Sequence, residues 1–174
     1  NPKPKLIKQF PPGCYWSSKS PKHFVSYHNT IKHRSKLHSE EVSYKKQVET
    51  VRTLVIEAVR KRVEMSSRPV AYFLSGGLDS SIVAAIGASL SKTPINVYSV
   101  GIRGGNSPDI EASKLMAKHL GAKHTIIEFD LEDAVKRVPE VIKTLESYDC
   151  TTIRASVPMY ILSEHISKYT NDKV

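Results

Sequence analysis

The heptapeptide Ser75-Gly76-Gly77-Leu78-Asp79-Ser80-Ser81 leaves few folds open to this chain. An apolar run, Pro69-Val70-Ala71-Tyr72-Phe73-Leu74, precedes it, and an amphipathic run, Ile82 to Leu90, follows it. That order reads as strand, glycine turn, helix. A glycine turn feeding a helix aims unpaired backbone N–H groups and the positive end of the helix dipole at one spot. Such a spot binds phosphate. Glycine lets the backbone approach phosphate oxygens where a side chain would collide. Asp79 is the odd member, because a carboxylate repels phosphate unless a divalent cation such as Mg²⁺ stands between them. The bland alternative is a tight turn with Ser75 or Asp79 as an ordinary helix cap. The segment is neither a Walker A loop nor a dinucleotide fingerprint, since Gly-x-x-x-x-Gly-Lys and Gly-x-Gly-x-x-Gly are both absent.

Strand and helix signals alternate along the rest of the chain. The expected strands are 69–74, Ile95–Ile102 and His124–Phe129, with Lys173-Val174 as the first step of a fourth. A long helix is expected from an N-cap at Ser39 to about Met65, and others over 79–91 and from Ser107-Pro108 to Leu120, stopped by Gly121. Residues 131–147 read as helical with Pro139 opening a second helix, and 155–169 as a helix with Pro158 in its first turn. Residues 1–38 read as an extended lead-in with one strand near Leu6–Phe10. Alternation of this kind predicts an α/β fold, a doubly wound parallel sheet with helices on both faces. Because the chain stops as a strand begins, the sheet is expected to be incomplete at its C-terminal end and the chain to be a fragment.

Charge is unevenly placed. Residues 1–46 hold ten Lys/Arg against two Asp/Glu, and the remainder sixteen against fifteen. With no aromatic interleaving of the kind that stacks bases, the basic arm reads as a solvated connector rather than a nucleic-acid arm. His28, His33 and His38 recur at a spacing that stacks on no helix face and are not read as a zinc site. Cys14 and Cys150 imply no disulfide and fit a cytoplasmic setting. No apolar run approaches membrane-spanning length, and no secretory signal is present in the sequence as it stands.

Ser75 to Ser81 resembles the pyrophosphate loop of the ATP pyrophosphatase superfamily, whose members cleave ATP between the α and β phosphates. Two further stretches narrow the resemblance to the glutamine-hydrolysing asparagine synthetases. Val97-Tyr98-Ser99-Val100-Gly101-Ile102 with Ser107-Pro108-Asp109 is similar to their second strand and following loop, and Leu145 to Ser156 with Val157-Pro158-Met159-Tyr160 is similar to a second signature. Phe10-Pro11-Pro12-Gly13 resembles the end of their glutaminase domain. Arg103-Gly104-Gly105-Asn106 is about two residues longer than the family's loop, and the family's Ser-Gly-Glu-Gly segment would follow Val174.

The resemblance implies amidation of aspartate to asparagine through β-aspartyl-AMP, with ATP and Mg²⁺ as cofactors, AMP and pyrophosphate as products, and ammonia drawn from glutamine. It implies that Phe73 and Val100 hold adenine through their backbone, and that Leu74, Ser75, Gly76, Gly77, Ser80 and Ser81 line the nucleotide site. Asp79 would take Mg²⁺, and Thr152 and Arg154 would be catalytic. Taken from the residues alone, Thr152 and Arg154 read as a helix cap beside a surface charge. The implied organisation is a lead-in over residues 1–38 from a missing glutaminase domain, then the N-terminal part of an ATP-binding synthetase domain over 39–174. A homodimer is allowed, and neither nucleic acid nor membrane is an expected partner. The alternatives are a non-catalytic ATP-binding remnant, or another amidating enzyme of the β-lactam synthetase kind. The stretch Thr151 to Ser156 argues against a GMP synthetase relative.

Overall fold

The computed structural model describes residues 10–20, 23–29 and 43–174. They fall into two compact units divided between Thr50 and Val51. The expected strand at Leu6–Phe10 and the helix N-cap at Ser39 lie almost wholly outside the described residues. In the first unit β1 (Cys14–Tyr15) pairs antiparallel with β2 (Val25–Ser26), a hairpin not anticipated from the sequence. Gly13, in left-handed conformation at φ 67°, accepts at its carbonyl from the N–H groups of Tyr27 and His28 and closes the pair.

Helix α1 (Tyr44–Glu64) is followed by the α/β unit: β3 (Ala71–Phe73), α2 (Leu78–Leu90), β4 (Asn96–Ile102), α3 (Pro108–Leu120), β5 (Lys123–Phe129), α4 (Leu131–Leu145) and α5 (Cys150–Tyr169). The sheet is parallel in the order β3-β4-β5, with Phe73 opposite Tyr98 and Val97 opposite His124. Beyond the other edge of β3, Val70 bridges Lys173 in parallel, with Ala71 N–H donating to Lys173 O at 2.8 Å and Lys173 N–H donating to Pro69 O at 2.7 Å. Asp172 is tied to β4 by Asn96 Nδ2 at 2.9 Å and the Tyr98 hydroxyl at 2.7 Å. The last residues therefore begin to pair where a fourth strand was expected.

Side chains alternate across the strands, as a two-residue period requires. Tyr72, Leu74 and Val97 pack with Ala84 of α2 and Ala117 of α3 on one face, and Ala71 and Tyr98 pack with Leu162 and Ile166 of α5 on the other. Burial of both faces explains the continuous apolar runs of β3 and β4. This is the doubly wound arrangement the alternation predicts. The chain steps β3 to β4 to β5 in one direction and returns to the opposite edge of β3, so the topological switch lies at the end of β3, where ligands of such sheets bind.

Two helices differ from expectation. Pro139 does not open a new helix but lies within α4. A proline there removes one N–H from the ladder, and its would-be acceptor, the Val135 carbonyl, belongs to an exposed residue that water can satisfy. Helix α5 begins at Cys150 rather than at Ala155, because Asp149 caps it by accepting from Thr152 N–H at 2.7 Å. Pro158 consequently sits inside α5, not in its first turn. Arg137 and Lys168 both reach Glu164, at 3.0 and 2.7 Å, and Arg137 thereby joins α4 to α5.

Candidate functional site

The turn after β3 is held in shape by its own serines. Ser75 Oγ lies 3.0 Å from Ser80 Oγ, Ser75 N–H donates to Ser80 Oγ at 3.2 Å, and Ser80 Oγ donates to Gly77 O at 3.2 Å. Gly76 adopts φ 82°, and the first turn of α3 lies directly against it. Gly77 is the N-cap of α2 at φ −72°, ψ 166°. No side chain caps that end of the helix, so neither Ser75 nor Asp79 plays the ordinary capping role. The N–H groups of the first turn thus face outward with the dipole behind them.

A Cβ on Gly77 would meet nothing closer than Ser75 Oγ at 3.4 Å. No other heavy atom lies within 4 Å of that position, so a phosphate oxygen could approach the backbone there. Asp79 stands exposed in the first turn of α2, and among the described residues no hydrogen bond or ion pair engages its carboxylate. It lines a groove of about 630 Å³ bounded by α1 from Val55 onward, β3 and the start of α2. Among the described residues no cluster of three His, Cys, Asp or Glu side chains could hold a metal by itself. A lone carboxylate beside a phosphate cradle fits Mg²⁺, which takes one or two carboxylates and fills its shell with phosphate oxygens and water.

The other predicted residues take several places. Leu74 is only 1% exposed, and its side chain is core. Phe73 and Val100 are half-buried and pack against the cluster under α5, and Phe73 also lines the groove that Asp79 borders. Ser81 sits one turn into α2, its N–H donating to Gly77 O at 3.1 Å. Thr152 and Arg154 lie in the opening turns of α5, both exposed. Arg154 supplies the charge in an otherwise apolar groove of about 650 Å³ between α4 and α5, which reaches Ile102 and Phe129 at the ends of β4 and β5. Arg154 therefore opens onto the same carboxyl edge of the sheet as the serine-glycine turn, but from the face that α5 covers. The capping role considered for Thr152 belongs to Asp149, whose carboxyl is held below the usual range first by the Thr152 side chain and then by its N–H.

Residues 50–171 match the model of the asparagine synthase family. The chain belongs to the asparagine synthase family. The asparagine synthetase [glutamine-hydrolyzing] of Gallus gallus is 43% identical over 129 residues, covering 71% of this chain and 22% of that protein. The probable asparagine synthetase [glutamine-hydrolyzing] of Acanthamoeba polyphaga mimivirus is 39% identical over 154 residues, covering 87% of this chain and 28% of that protein. This member of the asparagine synthase family thus spans about a quarter of the length of these relatives. Among solved structures, the glutamine-dependent NAD+ synthetase from Acinetobacter baumannii in complex with ADP superposes with a TM-score of 0.50 at 22% identity, covering 67% of this chain and 23% of that one. It shares the fold predicted from the strand and helix alternation. Among the described residues no helix is long and apolar enough to cross a membrane.

Two residues of the asparagine synthase chain near the turn escaped the sequence reading. Ser99, 3% exposed, donates its hydroxyl to Leu74 O and lies 2.7 Å from His124 Nε2. His124 is held below the usual histidine range by burial and, secondarily, by the charge of Lys114. A serine inside an apolar strand run was the available signal, since a buried hydroxyl needs a partner.

Proposed function

We propose that this chain forms the ATP-binding portion of an enzyme that amidates aspartate to asparagine. The observation that carries the reading is the uncapped N-terminus of α2 behind an open glycine turn, with the free Asp79 carboxylate beside it. The Gly77 face and the first-turn N–H groups would hold the β and γ phosphates, with the Ser75, Ser80 and Ser81 hydroxyls as further donors. Asp79 would hold Mg²⁺, which supplies charge neutralisation on the departing pyrophosphate. The backbone at Phe73, Leu74 and Val100 would face the nucleoside.

In the reaction, an oxygen of the aspartate β-carboxylate attacks the α phosphorus while the bond to the β-phosphate oxygen breaks. Pyrophosphate leaves and β-aspartyl-AMP remains. Ammonia then attacks the acyl carbon, the bond to the AMP oxygen breaks, and the nitrogen loses a proton to give the amide. Arg154, with planar bidentate donors, and Thr152 would orient an anion at the carboxyl edge. Glutamine as the source of ammonia, a preceding glutaminase domain joined through residues 1–38, a synthetase portion over 39–174, homodimer formation and a cytoplasmic location belong to the same proposal. The similarity to the glutamine-hydrolysing synthetases supports it.

The test is aspartate-dependent exchange of pyrophosphate into ATP by the full-length protein. Asp79→Ala is expected to abolish it with the fold intact. Exchange that persists would remove Asp79 from the metal role, and exchange driven by a different carboxylic acid would change the substrate.

A further inference from the structure

We propose that Ser99 and His124 are positioning residues that orient the phosphate loop by holding the carbonyl from which it springs. The inference rests on the nucleotide reading of that loop. Leu74 ends the β3 ladder, its N–H donating to Tyr98 O at 2.8 Å, and the next residue is Ser75. The Leu74 carbonyl takes the Ser99 hydroxyl proton. A carbonyl can only accept, and the hydroxyl has a single proton. Ser99 Oγ must therefore accept from His124, which assigns the second proton in the chain to Nε2.

The resulting series, His124 to Ser99 to Leu74, crosses the sheet from β5 through β4 to the end of β3. It lies on the face covered by α2 and α3, since His124 stands opposite Val97 in register. On that same face α3 presses its first turn against Gly76. The loop is thus fixed by a steric stop at Gly76 and a polar tether at Leu74. The internal bonds of Ser75, Gly77 and Ser80 carry that placement to the phosphate cradle. Burial and Lys114 keep the ring neutral near pH 7, the state in which one nitrogen donates without adding a charge to the core.

A merely structural polar pair would lower stability without moving the loop, so the experiment reads the loop. The intact chain, labelled with ¹⁵N, is compared with Ser99→Ala, His124→Leu and His124→Gln by the amide resonances of Ser75, Gly76 and Gly77. MgATP affinity is measured by calorimetry, and thermal midpoints are recorded in parallel. Ser99→Ala and His124→Leu are expected to shift the loop amides and to weaken MgATP about tenfold, the scale of one hydrogen bond's net worth. His124→Gln, whose side-chain amide can donate from a similar place, is expected to restore both. The imidazole nitrogens of the parent protein should report the Nε2–H tautomer. Should His124→Leu fail to fold, the other two variants decide. Loop amides that stay in place in Ser99→Ala would overturn the proposal, as would glutamine failing to restore them. A parent protein that binds no MgATP would instead overturn the nucleotide reading, and the amide shifts would still judge the tether.

Discussion

A β-carbon on Gly76 would stand 2.7 Å from the Cβ of Ala112, and equally close to Asp109 O and Ser113 N. The turn after β3 and the start of α3 are therefore in contact at a point where only a hydrogen fits. The contact brings the N-terminal ends of α2 and α3 to the switch point of the sheet, where both dipoles favour an anion.

Gly76→Ala should accordingly be costly. The left-handed φ is unfavourable for alanine by about 1–2 kcal/mol and forced overpacking adds about 1–3 kcal/mol. Urea denaturation is expected to show a loss of about 2–5 kcal/mol on that basis. A loss below about 1 kcal/mol, the range of an uncrowded surface change, would mean that α3 yields easily.

Gly77→Ala separates binding from folding. Its backbone is extended and the added methyl meets only Ser75 Oγ, at 3.4 Å. Stability should change by less than about 1 kcal/mol, the range for N-cap exchanges between glycine and alanine. MgATP affinity measured by calorimetry should fall tenfold or more, about the loss of one good contact, because the methyl would occupy the phosphate cradle. Unchanged affinity would place the phosphates elsewhere.

Gly87→Ala tests the core and not the site. The Tyr72 ring is seated so closely over Gly87 that an added Cβ would overlap its Cζ and hydroxyl. Tyr72 is buried between β3 and α2, with its hydroxyl pKa raised by desolvation. The substitution is expected to cost about 1–3 kcal/mol in denaturant unfolding. MgATP affinity at temperatures where the variant stays folded should be unaltered.

Asp149 gives the α5 terminus an acid dependence. Its folded-state pKa is depressed by the Thr152 hydroxyl first and the Thr152 N–H second. A depressed carboxyl contributes stability above the unfolded aspartate's pKa of about 3.9, and that contribution disappears as pH falls through the lower folded value. The group is exposed and the effect is small. Asp149→Asn keeps a cap acceptor but should flatten stability against pH in that acid window, whereas Asp149→Ala should lower the melting midpoint at neutral pH as well. Identical acid limbs for Asp149→Asn and the parent protein would show that the cap does not carry the charge dependence.

Local patterns sufficed for much of this. The β3–turn–α2 passage, Ser107 and Pro108 at the start of α3, and Gly121 in left-handed conformation at its end are written in neighbouring residues, because turns, caps and helix stops depend on a few adjacent backbone angles. Pro139 and Pro158 misled for the same reason. A proline is a local helix breaker, and whether a helix continues through it depends on water reaching the freed carbonyl and on apolar residues beyond it finding a surface. Both helices go on because Val141, Leu162 and Ile166 are buried.

Residue order alone thus specified an alternating α/β chain with a glycine turn after its first parallel strand, since periodicity and glycine placement act over a few residues. The partners of that turn came from the packed fold: α3 against Gly76, Ser99 on the Leu74 carbonyl and His124 behind Ser99. Each joins segments far apart in the chain. Such contacts follow from strand register and from which face a helix covers, and no short window of sequence encodes either.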